Sequence, residues 1–298
     1  PNALWHHDGQ HGLIRWGIVI HGFIDGYLRL ITGLRASDNN RASTVLDLFL
    51  AGAAVYSIPS RLRGDHGLEN LLVAAWIEDF RGTLHGSYIW GRSVHNMRIE
   101  HLWVDVTAQV GATWSDYFTT LELRYGVDIN NPNHIWLLHH LFLGVLNEIL
   151  AFFAESWNEH HIQIRGGPNR SPADMFGFDQ LVHGVRGDQL PHDDEMTEDD
   201  LEVLRIDWEA LRDERLLTSQ QHNNDIREGS TSWLGRVGPP DNLNEVQVNT
   251  PDAPLHLEEI QQIDKATVAW RHIGDENSVI LSWIHGLATA RNVRGDIF

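Results

Sequence analysis

Over the first ninety residues the hydrophobic positions fall in short β-branched and aromatic runs, each cut off by a turn signal. Residues 3–9 read as a strand ending at Asp8-Gly9. Trp16–Asp25 is β-branched and bounded by Asp25-Gly26, a hairpin signal, and Tyr27–Arg35 returns as the next strand. The spacing then becomes helical. Val45, Leu46, Phe49, Leu50 and Ala53 share one side of 42–56, behind Asn39 or Asn40 as N-cap and ahead of Pro59 as a stop. Ser60–Gly64 is a brief strand leading into Asp65-His66-Gly67. Leu72, Val73, Trp76, Ile77 and Phe80 place a helix over 69–80, and Ser87–Trp90 is a fifth strand. Gly91–Trp103 then opens a helix that continues to about Val110. This order predicts an α/β fold: a mixed five-stranded sheet with an antiparallel start, parallel additions and flanking helices.

From 112 to 160 the pattern is all helical. Ser115–Leu123 forms one helix. His134–Asn158 is the strongest amphipathic segment, with Leu138, Phe142, Val145, Leu146, Ile149, Phe152, Phe153 and Trp157 on its apolar side. Ordinary core packing accounts for it. Gly166-Gly167-Pro168 and Ser171-Pro172 break the pattern. Residues 188–200 are acidic and poor in hydrophobics, so they read as a linker. A helix with a charged face is expected at 201–217, a polar, turn-rich stretch at 223–254, and helices at 257–273 and 278–291. The organisation expected is a core at 1–187, the linker at 188–200 and a mostly helical C-terminal region at 201–298.

Composition narrows the chemistry. With 298 residues and 42% hydrophobic content the chain can bury a sizeable core. It has no run of 18 apolar residues and no signal-peptide pattern, so a soluble intracellular protein with no membrane partner is expected. Without cysteine there are no disulfides, thiol nucleophiles or Cys-bearing zinc sites within it. Nineteen histidines are present, but His6-His7, His139-His140 and His160-His161 lack a convincing metal-ligand spacing. The formal charge of -19 argues against a generic nucleic-acid coat. That charge is uneven. Residues 1–187 carry 13 Arg against 18 acidic residues, whereas 188–214 carry 12 acidic residues against two Arg.

Three carboxylates stand out by position. Asp8 ends the first strand, Asp65 ends the fourth, and Glu100 lies in an early helical turn with 34 residues between it and Asp65. In such a sheet, groups at the carboxyl ends of strands converge at one edge. Two Asp and one Glu gathered there repel one another, which raises at least one pKa. Hard divalent ions relieve the repulsion, and Mg²⁺ or Mn²⁺ suits all-oxygen ligands. Two such ions about 3.5–4 Å apart serve in-line phosphoryl transfer. In that arrangement Asp8 bridges both, Asp65 holds one and Glu100 the other. Asn96 shares a helix face with Glu100, and His66 and Asn70 flank Asp65. These three would orient the ligands or meet phosphate, or else serve as local caps and turns. Arg92 and Arg98 would meet phosphate, or form surface ion pairs of little worth.

These residues also carry a resemblance. Trp5-His6-His7-Asp8-Gly9 and Ile20-His21-Gly22-Phe23-Ile24-Asp25-Gly26-Tyr27-Leu28-Arg29 come first. Pro59-Ser60-Arg61-Leu62-Arg63-Gly64-Asp65-His66-Gly67-Leu68-Glu69-Asn70 follows, and then the stretch from Gly91 to Trp103. Trp157-Asn158-Glu159-His160 extends the set, and the likeness runs to roughly residue 182. As an ordered set they resemble the retroviral-integrase-type DDE superfamily, in particular the integrase core domains of eukaryotic, notably fungal, transposon-like genes. The resemblance implies a ribonuclease-H-like core, Mg²⁺ or Mn²⁺, and DNA 3′-end processing and strand transfer. It assigns the catalytic and metal-binding triad to Asp8, Asp65 and Glu100 and gives Asp25 a structural place. It also implies DNA ends and target DNA as partners, a homo-oligomer, and a nuclear location. The Asp65-to-Glu100 spacing is one residue shorter than the usual retroviral one, and Gly12 stands where Lys is frequent. The acidic balance departs from a DNA-handling surface. It keeps open a non-catalytic, integrase-derived scaffold. A metal-dependent nuclease without strand transfer is a third reading.

Overall fold

The computed structural model describes residues 1–82, 85–91, 96–162, 169–184, 239–240, 243–271 and 274–298. The expected linker at 188–200, the expected helix at 201–217 and Arg92 lie outside the described residues.

Five strands, β1 (Leu4–Gln10), β2 (Val19–Asp25), β3 (Ile31–Ser37), β4 (Arg61–Gly64) and β5 (Tyr88–Trp90), form one sheet in the order β3-β2-β1-β4-β5. β1 pairs antiparallel with β2, and β2 with β3; β4 joins β1 in parallel, and β5 joins β4 in parallel. This is the mixed, helix-flanked, ribonuclease-H-like arrangement expected. The strand limits differ from the sequence reading for local reasons. Ile14–Trp16 winds as a 3₁₀ turn closed by Gly17 at φ 70°, so β2 starts only at Val19. The Asp25 side chain accepts the N–H groups of Tyr27 and Leu28, which coils the link and delays β3 to Ile31.

Helices α1 (Ala42–Tyr56) and α2 (Leu71–Arg81) pack on one face around Trp5, Phe23, Phe49, Leu62, Ile77 and Trp90. The N-cap of α1 is Arg41. Asn39 acts from outside the helix, accepting from the Arg41 N–H and the Thr44 hydroxyl. On the other face, α3 (Met97–Val106) runs through a π turn at Thr107–Gly111 straight into α4 (Ala112–Arg124). The sequence reading broke this rod, but Gly111 is helical at φ -60° and no proline interrupts it. α5 (Pro132–Glu159) begins with Asn131 as cap and Pro132 in its first turn. By length and composition α5 could cross a membrane, but Leu137, Leu138, Leu141, Leu146 and Leu150 bury it in the core. Ser171-Pro172, read as a breaker, instead starts α6 (Pro172–His183), with the Ser171 hydroxyl accepting from the Asp174 N–H. The C-terminal helices α7 (Leu257–Thr267) and α8 (Glu276–Arg294) join the same core through Ile263, Val279, Trp283 and Leu287.

α5 also shields the sheet edge. β3 is an edge strand whose outward backbone groups would otherwise be open to pairing. Asn147 donates to the Ala36 carbonyl and accepts its N–H, and Asn158 does the same for Ile31. Two amide side chains thus stand in for a sixth strand. On the opposite side, α1 approaches β3 so closely that a Cβ on Gly52 would lie 2.4 Å from the Thr32 carbonyl oxygen. Neither backbone can yield alone. We expect Gly52→Ala to destabilise the fold by about 1–3 kcal/mol in urea titrations, while the exposed Ala51→Ser changes little.

Candidate metal centre

β1 and β4 run parallel with Leu4 beside Arg61 and His6 beside Arg63. Carried two residues further, this register sets Asp8 beside Asp65. Glu100 reaches the same end of the sheet from the first turn of α3. Gly22, opposite Asp8 on β2, makes room for that helix: a Cβ there would lie 2.7 Å from the Trp103 ring. The indole N–H of Trp103 in turn donates to Asp8 Oδ2 (3.1 Å), while the Gly9 N–H donates to Oδ1 (2.8 Å). The Asp65 carboxylate accepts from the Asn70 amide (2.7 Å), and the Gly67 N–H beside it helps to hold its pKa down. Asp8 and Asp65 remain partly open to solvent, and Glu100 is buried.

The electrostatics of the three are linked through Asp65 and through burial. Burial raises Asp8 well above the usual carboxylate range, and Asp65 and then Glu100 push it further. Asp65 is raised by burial, against the opposing pull of Gly67, Asn70, His11 and His66. Glu100 is pushed up to about 7 by burial and by Asp65. A fourth acid, Glu69, also rises to about 7 from burial and the Asp65 charge. The sequence reading passed over Glu69. Its signal was available: it sits four residues past Asp65 in the turn Leu68–Asn70, lying against Gly67, where a Cβ would come within 2.3 Å of its carboxylate.

The remaining predicted residues divide. Asn70 holds Asp65 directly. Asn96, the cap of α3, gives its amide N–H to the His7 carbonyl (2.8 Å) and accepts from His6 Nδ1 (2.8 Å). It clamps α3 to β1 and so fixes the turn that carries Glu100. Arg98 donates to the Gly26 carbonyl (2.9 Å), tying the same helix to the β2–β3 link. His66 lies beside Asp65 with its ring tilted over Trp90. Asp25 is buried and accepts from the Asn2, Tyr27 and Leu28 N–H groups, consistent with a structural place.

Behind the acids lies a layer of neutral histidines. His7 stacks on Phe23 and shares a hydrogen bond with the Tyr88 hydroxyl (2.7 Å); burial lowers it to about 3. Burial lowers His21 to about 4. A lowered folded value means that the unfolded chain takes up protons the native state refuses. The contribution of His21 is therefore intact above its unfolded value near 6.5 and is lost as pH falls toward about 4. We expect the stability of the wild type relative to His21→Gln to drop across that window by about 3 kcal/mol, read from urea titrations at each pH.

The all-oxygen donor set of Asp8, Asp65 and Glu100 fits a hard divalent cation. Among the described residues, no group of three or more His, Cys, Asp or Glu is already arranged to hold one. Mutually repelling acids are not drawn to a common point by themselves; a cation supplies that attraction.

The integrase core domain family matches residues 1–187. Among solved structures, the HTLV-2 integrase catalytic core domain in complex with magnesium (trimeric form) aligns over 59% of this chain and 97% of its own, at 11% identity and a TM-score of 0.34. No curated protein matches the chain.

Proposed function

Because this chain belongs to the integrase core domain family, we propose that it is a DDE-type polynucleotidyl transferase that processes DNA 3′ ends and joins them to target DNA. Asp8, Asp65 and Glu100 would hold two Mg²⁺ or Mn²⁺ ions. Bound there, the ions would supply Lewis acidity at the scissile phosphate and at the attacking water or 3′-hydroxyl. The observation that carries the reading is that the β1–β4 register sets Asp8 beside Asp65 at the sheet edge that the first turn of α3 reaches with Glu100, where Asp65 and Glu100 raise Asp8 and Asp65 raises Glu100. Asp8 feels both of the others, which suits it to be the shared ligand. Trp103 and Gly9 fix the direction of its two oxygens, Asn70 and Gly67 fix Asp65, and the Asn96 clamp fixes the turn that carries Glu100. Asp8 and Asp65 thus have little freedom left to lose on gripping an ion. On the resemblance, the partners are element ends and target DNA, the working state is a homo-oligomer, and the location is nuclear.

The formal charge of -19 favours a second reading, a recruited scaffold that binds proteins and touches DNA weakly. One experiment separates the readings. The full chain is incubated with Mn²⁺ and terminal-repeat-like DNA, and the products are resolved by length. Joined molecules that vanish with Asp65→Asn support the transferase. Cleaved ends without joining indicate a nuclease. Wild type indistinguishable from Asp65→Asn, with no salt-sensitive DNA binding, leaves the scaffold.

A further inference from the structure

The loop that carries Asp65 is held from outside by a segment far along the chain. Residues 243–250 lie beyond the stretch matched by the integrase family. The Asn244 N–H donates to the His66 carbonyl (2.7 Å), and the Leu68 N–H donates to the Asn244 carbonyl (3.0 Å). Together these form a parallel bridge between Gly67 and Asn244. In such a bridge one residue of the pair, here Asn244, bonds with its own N–H and C=O to the neighbours of the other, so the N–H of Gly67 points the other way. The Gly67 N–H is therefore turned from the strap toward Asp65, whose carboxyl it helps to hold down. The Gly67 carbonyl, also turned away, accepts from the N–H of Asn70, whose amide donates to Asp65. The strap is itself anchored. Leu243 packs against the Trp5–Phe49 core, Val248 is buried, and Val246 and Val248 accept from Asn40.

We propose that Asn244, through its backbone, is a positioning residue for Asp65, so that the strap at 243–250 completes the metal centre. The proposal rests on the metal-centre reading above. It deepens that reading by adding a part that the integrase-like stretch does not contain.

The test uses the full chain and measures Mn²⁺ affinity by electron paramagnetic resonance, with kcat and KM for DNA nicking alongside and melting curves as a check on folding. Asn244→Pro deletes the N–H that meets His66, whereas Asn244→Ala keeps the backbone bonds. Leu243→Ala loosens the strap without touching any carboxylate, and it decides the matter if the proline variant does not fold. Asn244→Pro and Leu243→Ala should weaken Mn²⁺ binding, the former by about 10–100-fold, the range for losing an outer partner of a metal site. Their kcat should fall with KM for DNA unchanged, and Asn244→Ala should match wild type. Wild-type Mn²⁺ affinity in a folded Asn244→Pro, or in Leu243→Ala where the proline variant does not fold, would overturn the proposal, as would equal losses in Asn244→Ala and Asn244→Pro. Wild type that binds no Mn²⁺ would instead bring down the metal-centre reading, and the positioning role with it.

Discussion

Asp65→Asn should remove Mn²⁺-dependent nicking and joining of DNA, and Asp8→Asn and Glu100→Gln should do the same. The losses should exceed the roughly 100-fold expected when only an outer partner of a metal ligand is removed. The substitutions keep shape and remove charge, so the fold remains. The hydrogen bonds seen at Asp8 and Asp65 use donors from the protein, and an Asn side chain still offers one acceptor oxygen to each set. Asp25→Asn provides the contrast. That carboxylate holds the β2–β3 link and the start of the chain together, with three N–H donors on its two oxygens. Its loss should lower the melting temperature and leave activity, per folded molecule, within a few-fold of wild type. Activity is read as product per folded protein at saturating Mn²⁺. Full activity in any one of the three site variants would remove that residue from the centre.

Glu100→Gln should stabilise the protein when no divalent ion is present. Burial and Asp65 hold Glu100 at about 7 in the folded state, against an ordinary value of 4.5. A folded value raised above the unfolded one gives a contribution that is fully present below about 4.5 and is lost as pH rises through about 7. Above that window the charged, crowded acid opposes folding by about 3 kcal/mol. Glutamine has no charge to repel. The variant should therefore melt several degrees higher than wild type at pH 8, and the two should converge near pH 4. Mn²⁺ should raise the melting temperature of wild type, because it binds only the folded state, and should raise that of Glu100→Gln much less. The two experiments pull in opposite directions: the group that weakens the empty fold is the one that grips the ion. Calorimetry at pH 4 and pH 8, with and without Mn²⁺, resolves all four terms.

What could be read from the chain beforehand was what short-range pattern controls. The aromatic and β-branched runs at 3–9 and 16–25, with the Asp25-Gly26 stop, marked the first two strands, although β1 runs on through Asp8-Gly9 to Gln10. Glu100 followed from helical spacing after a strand. Features that depend on a partner far away in sequence were not legible. Asn96 has the look of a free amide until His6 and His7, some ninety residues earlier, are set against it. Glu69 passes for a helix-start acid until the turn folds it back over Gly67. Residues 223–254 read as a polar connector, yet Asn244 pairs with the loop after Asp65 across most of the chain. Ser171-Pro172 shows a different failure. Serine followed by proline can end one segment or cap the next, and only the packing of Met175 and Phe176 against Leu28 and Leu30 decides for a helix.

A structure determined from crystals soaked in Mn²⁺, with anomalous diffraction locating the metal, tests the central claim most directly. The account predicts anomalous peaks within ligand distance of Asp8, Asp65 and Glu100, with Asp8 shared and with Asn70 still bonded to Asp65. Manganese absent from that sheet edge at saturating concentration, or any of the three acids turned away from the other two, would contradict it.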